Sequence, residues 1–228
     1  MNQKLKNTID ELKKKKRILF LTTSNRWSGQ KEKPKSTLLA EHIKNKLGEK
    51  LKIIDVTSLK IYECEGNVST KDGNICGVKK AELKDKEKNP TGYHRCWASI
   101  NNKDDELWKV SKEIFDSDCV VFFSSVRWGQ ACVFYQKLIE RLTWIENRHD
   151  SFGEDNILEG KDVGVILIGH NWNGENVLKT QKKVLDFFGF NVNDKLCWNW
   201  QYIQDYLDET PKGYLEDPKV FEETFLKD

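Results

Sequence analysis

Short apolar runs alternate regularly with stretches of helical periodicity along this chain. Five runs read as strands: Arg17–Thr22, Leu51–Val56, Cys119–Ser124, Val163–Gly169 and Asn191–Trp198. Apolar residues at helical spacing occupy the intervening segments 35–47, 104–115, 134–145 and 177–188. Parallel strands are joined by crossover connections, which are usually helices. The alternation therefore predicts a parallel sheet covered by helices on both faces.

We expect one α/β domain over residues 1–228, a three-layer flavodoxin-like doubly wound sheet of five parallel strands in the order 2-1-3-4-5. Residues 61–102 form a loop-rich insertion after the second strand, with a short hairpin expected around Asp72 and Gly73. Residues 201–228 form a C-terminal extension. Its aromatic residues are expected to pack against the domain or against a second subunit. They are Tyr202, Tyr206, Tyr214 and Phe221, with Trp200 just before them.

Charge and hydropathy exclude several classes of protein. Charged residues make up 32% of the 228 residues and nearly cancel, leaving a net charge of +2. A nucleic-acid-binding protein concentrates one sign of charge, so no such partner is expected. The basic run Lys13–Arg17 is interpreted as the solvated end of an N-terminal helix. No stretch is apolar enough to span a membrane and the start lacks a signal-peptide core, so we expect a cytoplasmic protein.

The six cysteines do not form a recognisable metal motif. Three of them, Cys64, Cys76 and Cys96, lie in the insertion at separations of 12 and 20 residues. These separations match neither the paired spacing of zinc sites nor the compact run of an iron–sulfur site. The cysteines are therefore interpreted as insertion packing. A three-cysteine metal site completed by His94 is the alternative.

A hydroxyl-rich loop joins the first strand to the first helix after it. Residues 22–29 read Thr-Thr-Ser-Asn-Arg-Trp-Ser-Gly, and the helix is expected from Lys35. A helix N-terminus attracts anions through its free N–H groups, and hydroxyl and guanidinium groups can complete a phosphate site. The residues expected to do so are Thr23, Ser24, Arg26, Ser36 and Thr37. A polar surface loop is the alternative.

The same segment nearly matches the phosphate-binding loop of nucleotide triphosphatases. Gly29 to Ser36 has the spacing G-x-x-x-x-G-K-[ST], but Pro34 occupies the position of the second glycine. Proline has no N–H to donate to a phosphate. No later strand ends in the aspartate that would hold magnesium. We therefore do not favour a triphosphatase.

Two more loops are expected at the same edge of the sheet, beyond the carboxyl ends of the strands where such folds bind ligands. Residues 124–130 read Ser-Ser-Val-Arg-Trp-Gly-Gln, and residues 169–174 read Gly-His-Asn-Trp-Asn-Gly. Each contains small residues and one tryptophan. Backbone amides and aromatic rings of this kind suit a flat polar heterocycle.

In these loops the chain resembles the NAD(P)H-dependent FMN reductases of flavodoxin-like fold. Residues 23–26 with 35–39 are similar to that family's G-S-P-R and N-T-S-K-L-L motifs. Residues 124–129 followed by 137–141 are similar to its T-P-V-Y-W-G and K-x-x-x-D-R motifs. The likeness covers residues 17–190. Ser125 replaces the usual proline and Arg127 the usual tyrosine, and the first loop is longer than usual.

The resemblance implies a bound FMN that accepts hydride from NADH or NADPH and passes electrons to a small acceptor such as a quinone, flavin, azo or nitro compound. It extends the site to the second and third loops. The residues concerned are Ser125, Val126, Arg127, Trp128, Gly129, His170, Asn171, Trp172 and Gly174. His170 is the candidate donor to the flavin; the catalytic residues stay unassigned.

Two further expectations concern partners. A non-enzymatic electron carrier or FMN-binding regulator is the alternative function, but flavodoxin-type carriers are usually strongly acidic and this chain is not. The aromatic C-terminal extension predicts a homo-oligomer, a dimer or a tetramer.

Overall fold

The computed structural model describes residues 2–27, 29 and 31–227. Its central sheet has five parallel strands in the order β2-β1-β3-β6-β7. Once the two short strands of a separate hairpin, β4 and β5, are set aside, this is the predicted order 2-1-3-4-5. The strands are β1 Ile18–Thr22, β2 Leu51–Asp55, β3 Cys119–Ser124, β4 Val126–Arg127, β5 Gln130–Ala131, β6 Asp162–Gly169 and β7 Asn191–Gln201.

Seven α-helices flank the sheet within the described residues. They are α1 Gln3–Leu12, α2 Lys35–Leu47, α3 Trp97–Asn101, α4 Leu107–Asp116, α5 Val133–His149, α6 Gly174–Phe187 and α7 Pro211–Phe225. Alternate residues of β1 face opposite layers: Leu19 and Leu21 pack with α4, α5 and α6, whereas Ile18 and Phe20 pack with α1, α2 and α7. The fold is therefore three layers, with a continuous apolar core on each side of the sheet.

The helix predicted from Asp104 begins later, at Leu107. Asp105 and Glu106 therefore precede the helix, and their carboxylates contact other parts of the chain. Both carboxylate oxygens of Asp105 accept hydrogen bonds of 2.9 Å from Arg141 of α5, and both side chains are fully buried. Glu106 accepts a hydrogen bond from the N–H of Lys60. Asp105 also accepts a 3.1 Å hydrogen bond from the N–H of Tyr62 in the insertion and a 3.3 Å hydrogen bond from the N–H of Leu107 at the start of α4. Its carboxylate therefore links the insertion, α4 and α5.

The insertion is mostly irregular, and the hairpin predicted within it is reduced to one isolated bridge between Thr70 and Gly73. Gly73 has a positive φ of 84°, which explains the sharp turn. No apolar alternation surrounds this turn, so neither side extends into a strand. Among the described residues, no group of three or more His, Cys, Asp or Glu side chains could hold a metal ion.

The C-terminal extension packs on its own domain. Phe221 and Phe225 of α7 lie in the apolar layer of α1 and α2, where Trp198 stacks on Phe225 with ring centroids 5.5 Å apart. Trp200 contacts both phenylalanines. The first of the two expected arrangements, packing against the domain, is thus confirmed for these aromatic residues. No helix in the described part of the chain is long and apolar enough to cross a membrane.

Candidate active site

A cavity of about 540 Å³ opens at the carboxyl ends of β1, β3 and β6. The three loops singled out in the sequence line it, and α7 closes its fourth side. The lining includes the predicted residues Ser24, Arg26, Ser36, Ser125, Val126, Arg127, Trp128, His170 and Asn171. Its size lies in the usual range for small-molecule sites. A cavity of about 510 Å³ between α1, α6 and β7 lies away from the strand ends and is lined largely by lysines.

Two buried serines meet at one end of the cavity. Ser36 lies in the first turn of α2, and its Oγ donates a 2.8 Å hydrogen bond to Oγ of Ser24 on the loop after β1. Thr23 is directed away from the cavity, because its Oγ1 donates to the carbonyl of Phe123. Thr37 lines an adjoining cavity of about 560 Å³ beside the end of β2. The hydroxyl pair at the helix N-terminus is the arrangement expected of an anion site.

The cations near this pair differ in their environment. Arg26 is exposed and lies 3.7 Å from the carboxylate of Glu32. Lys35, the first residue of α2, is mostly buried and forms an ion pair with Asp217 of α7. Burial lowers the pKa of Lys35, and the hydrogen bond to Asp217 opposes that shift.

Lys35, Tyr214 and Asp217 line the cavity, but the motifs in the sequence do not identify them as site residues. Lys35 could have been identified from the sequence, because it directly precedes Ser36 at the expected start of the helix. The residues of α7 carry no such signal, because only the folded chain brings the tail to the strand ends. Asp217 is 4% exposed, which is unusual for an aspartate and marks it as a paired group.

The imidazole ring of His170 is held by stacking contacts with two tyrosine rings and by a hydrogen bond at one of its nitrogens. Its ring stacks between Tyr214 and Tyr202, with centroids 4.3 and 5.3 Å away. Nδ1 lies 2.9 Å from a carboxylate oxygen of Asp217. Nε2 is buried and has no hydrogen-bond partner in the described part of the chain. The ring is therefore fixed in orientation while one nitrogen stays available to a ligand.

The loop after β3 forms the short β4–β5 hairpin, which the sequence did not predict. At its tip, Trp128 and Gly129 both have positive φ, 51° and 69°. Two such residues are typical of a type I′ turn, for which asparagine and glycine are preferred. A tryptophan in this conformation costs roughly 1–2 kcal/mol. Its side chain is 86% exposed, so burial does not offset that cost.

The predicted third-loop residues Trp172 and Gly174 support the site from outside. Gly129 also lies outside the cavity lining, and its backbone faces the ring of Trp172: a Cβ added to Gly129 would come within 2.7 Å of that ring. Asn173 donates a 2.9 Å hydrogen bond to the carbonyl of Gly129. A Cβ at Gly174 would collide with the side-chain amide of Gln201. The contacts of Gly129 join the hairpin to the loop after β6, and the contact of Gly174 places the start of α6 against the end of β7.

No protein-family model and no curated protein matches this sequence. Solved structures do match the fold. The structure of RosB with bound 8-demethyl-8-formylriboflavin-5'-phosphate aligns with a TM-score of 0.57 at 14% identity, covering 92% of this chain and 76% of the other. The azoreductase AzrA aligns with a TM-score of 0.50 at 11% identity, covering 92% and 95%.

At these identities the likeness establishes a shared fold, the flavodoxin-like fold predicted from the sequence. One neighbour holds a riboflavin phosphate and the other is an azoreductase, an oxidoreductase.

Proposed function

We propose that this protein is an FMN-dependent oxidoreductase that oxidises NADH or NADPH and reduces a small acceptor. The observation that carries the proposal is the convergence of three loops on one cavity, with a hydroxyl pair at a helix N-terminus at one end and unpartnered polar groups elsewhere. The fold neighbours, which include a protein that holds a riboflavin phosphate, support it.

The residues around the N-terminus of α2 are suited to bind the phosphate of FMN. Ser24 can donate its hydroxyl hydrogen to a phosphate oxygen, and Ser36 can do the same by turning its hydroxyl hydrogen away from Ser24. Arg26 and Lys35 supply positive charge. Asp217 already neutralises Lys35, so the phosphate would share that cation with the carboxylate. A mononucleotide is favoured over a dinucleotide, because the chain has one phosphate-type loop and no G-x-G-x-x-G turn.

Three residues that line the cavity each carry a buried polar atom with no hydrogen-bond partner among the described residues: Oδ1 of Asn25, Oγ of Ser125 and Nε2 of His170. Buried polar groups in folded proteins are nearly always paired, so three in one cavity indicate groups that a ligand satisfies. The polar edge of a flavin ring offers complementary donors and acceptors. The donor set therefore fits FMN at both ends of the molecule.

When bound, FMN supplies the chemistry: it accepts hydride from the nicotinamide and passes electrons to the acceptor. The protein positions the reactants and manages charge. His170 is oriented by Asp217 and can hold or release a proton at Nε2. Ser125 can donate a hydrogen bond to charge that develops nearby.

The visible spectrum of the purified protein, before and after titration with FMN, tests cofactor binding. We expect flavin absorbance and a dissociation constant in the micromolar range or below. Anaerobic addition of NADH or NADPH should then bleach the flavin bands without a partner reductase. A protein that binds no FMN refutes the proposal. One that binds FMN but stays oxidised under both nucleotides is an electron carrier or regulator instead.

A further inference from the structure

The exposed Trp128 is held in place by contacts from a neighbouring loop. It and Asn173 are the two described non-glycine residues with positive φ, 51° and 70°. Asn173 fixes the hairpin tip by donating to the carbonyl of Gly129, and the ring of Trp172 lies against Gly129. Strain of this kind persists only where the surroundings over-determine it, and it concentrates at ligand-binding positions.

Local preference alone would not place tryptophan here. A type I′ turn favours asparagine before glycine, and a large indole gains nothing from its own chain when it is 86% exposed. The side chain nevertheless lines the mouth of the cavity. A departure from local preference without a packing gain is expected at a functional position.

Arg127, the neighbour of Trp128, supplies a free positive charge. Its guanidinium is anchored by a 3.0 Å hydrogen bond from Nη2 to the carbonyl of Asn25, but no carboxylate of the described chain forms an ion pair with it. The other cations of the cavity are occupied: Arg26 faces Glu32, and Lys35 is paired with Asp217. Arg127 is therefore the cation in the described cavity lining that has no anion beside it.

We propose that Trp128 and Arg127 form a binding platform for a planar aromatic anion, which is the acceptor class of this site. The indole would stack on the ring of the acceptor, and the guanidinium would pair with its sulfonate, carboxylate or phosphate. This assignment rests on the proposed function. We assign the platform to the acceptor and not to the nicotinamide dinucleotide, because the two or three phosphates of the dinucleotide exceed the one unpaired cation that Arg127 supplies in the described cavity lining.

The test measures binding without turnover. Calorimetry on the purified protein, saturated with FMN, compares naphthalene-2-sulfonate with its neutral isostere naphthalene-2-sulfonamide. We expect the anion to bind at least tenfold more tightly. Arg127→Gln should remove that preference. Trp128→Asn, which suits the turn, should weaken both ligands about tenfold, and Trp128→Tyr should restore most of the affinity. Phe187→Ala, an exposed aromatic change on α6, is the control and should alter neither.

Steady-state kinetics give an independent reading. Arg127→Gln should raise KM for anthraquinone-2-sulfonate about tenfold and change KM for NADPH less than twofold. Equal binding of the two naphthalene probes to the unmodified protein, or unchanged binding in both variants, overturns the platform. A rise in KM for NADPH alone assigns Arg127 to the nucleotide and also overturns it. Flavin absorbance is recorded separately from probe binding. A protein that binds no FMN but still binds the anionic probe more tightly than the neutral one refutes the proposed function and supports the platform.

Discussion

The carboxylate of Asp217 lies 2.9 Å from Nδ1 of His170, which joins the C-terminal helix to the loop after β6. The same carboxylate pairs with Lys35 at the start of α2. One residue of the tail thus contacts two loops of the candidate site, and α7 is part of the site as well as of the core.

Asp217→Asn should separate stability from cofactor affinity. Removing the carboxylate charge leaves Lys35 buried without a counterion, so the free protein should lose about 2–4 kcal/mol of stability. FMN should bind about tenfold more tightly, since its phosphate no longer shares Lys35. Thermal unfolding with and without FMN, together with an FMN titration, checks both effects. Glu223→Gln, an exposed change on the same helix, is the control. Weaker FMN binding in Asp217→Asn would place the phosphate elsewhere.

Ser24→Ala and Ser36→Ala should each weaken FMN binding by about 1–3 kcal/mol, the range for losing a hydrogen bond to a charged group. Because the two hydroxyls are bonded to each other, the double variant should lose less than the sum of the single losses. Fluorescence titration of FMN into the three variants measures this. If both single variants keep full affinity, the phosphate does not bind at α2.

Stability should depend on the protonation of His94. Burial lowers the pKa of this histidine from its ordinary value of 6.5 to about 3; the charge of Asp105 raises that pKa by a smaller amount, and the charge of Arg141 lowers it further. The unfolded chain therefore takes up a proton between pH 6.5 and 3 that the folded chain does not, so stability is complete above pH 6.5 and falls as the pH drops. The ring is bonded to Ser111 and Ser99.

Urea unfolding of the unmodified protein and of His94→Gln isolates this contribution. The difference in unfolding free energy between them should shrink by about 1.4 kcal/mol per pH unit from pH 6 to pH 4 and be constant above pH 7. A difference that does not change with pH would mean that His94 titrates alike in both states.

Trp128→Asn should stabilise the protein by about 1 kcal/mol, because asparagine tolerates the left-handed conformation better and little buried area is lost. Trp128→Ala lacks that conformational advantage and is the matched comparison. Chemical unfolding of both variants measures the effect. If the asparagine variant is less stable than the alanine variant, the tip does not carry the strain assigned to it.

We continue to predict a homo-oligomer, but only some of the C-terminal residues that led to this prediction still support it. Trp200 and Phe221 pack against each other within the chain. Tyr206, Leu207 and Leu215 remain largely exposed. Such apolar groups are suited to an interface between two copies. Sedimentation or light scattering at micromolar concentration should give at least twice the monomer mass of 26.7 kDa. A monomer at every concentration would refute the prediction.

The sequence was most informative where one physical rule dominates. Apolar runs located all five main strands to within a few residues. The pattern is strictest in β1, β3 and β6, which are buried along their whole length, because a parallel strand covered on both faces is continuously apolar. The Thr-Thr-Ser loop and the Lys-Ser-Thr start of the following helix located the buried pair Ser24 and Ser36, since hydroxyl groups beside a helix N-terminus are typical of an anion site.

The sequence was less informative where a side chain can pair with more than one element of the fold. The carboxylate of Asp105 suits a helix start by local rules, yet it pairs with Arg141, which lies 36 residues away. The hairpin at Trp128 violates the turn preference that would have predicted it.

The amino-acid sequence by itself determined the fold class, the strand order and the three loops at the ligand-binding edge, because these follow from local patterns and from the geometry of parallel sheets. Only the tertiary structure decided that Asp217 and Tyr214 line the candidate site and that Arg127 forms no ion pair with a carboxylate of the described residues. Such facts depend on which distant side chains meet, and packing of the tail against α2 and the loop after β6 is not encoded in any local pattern.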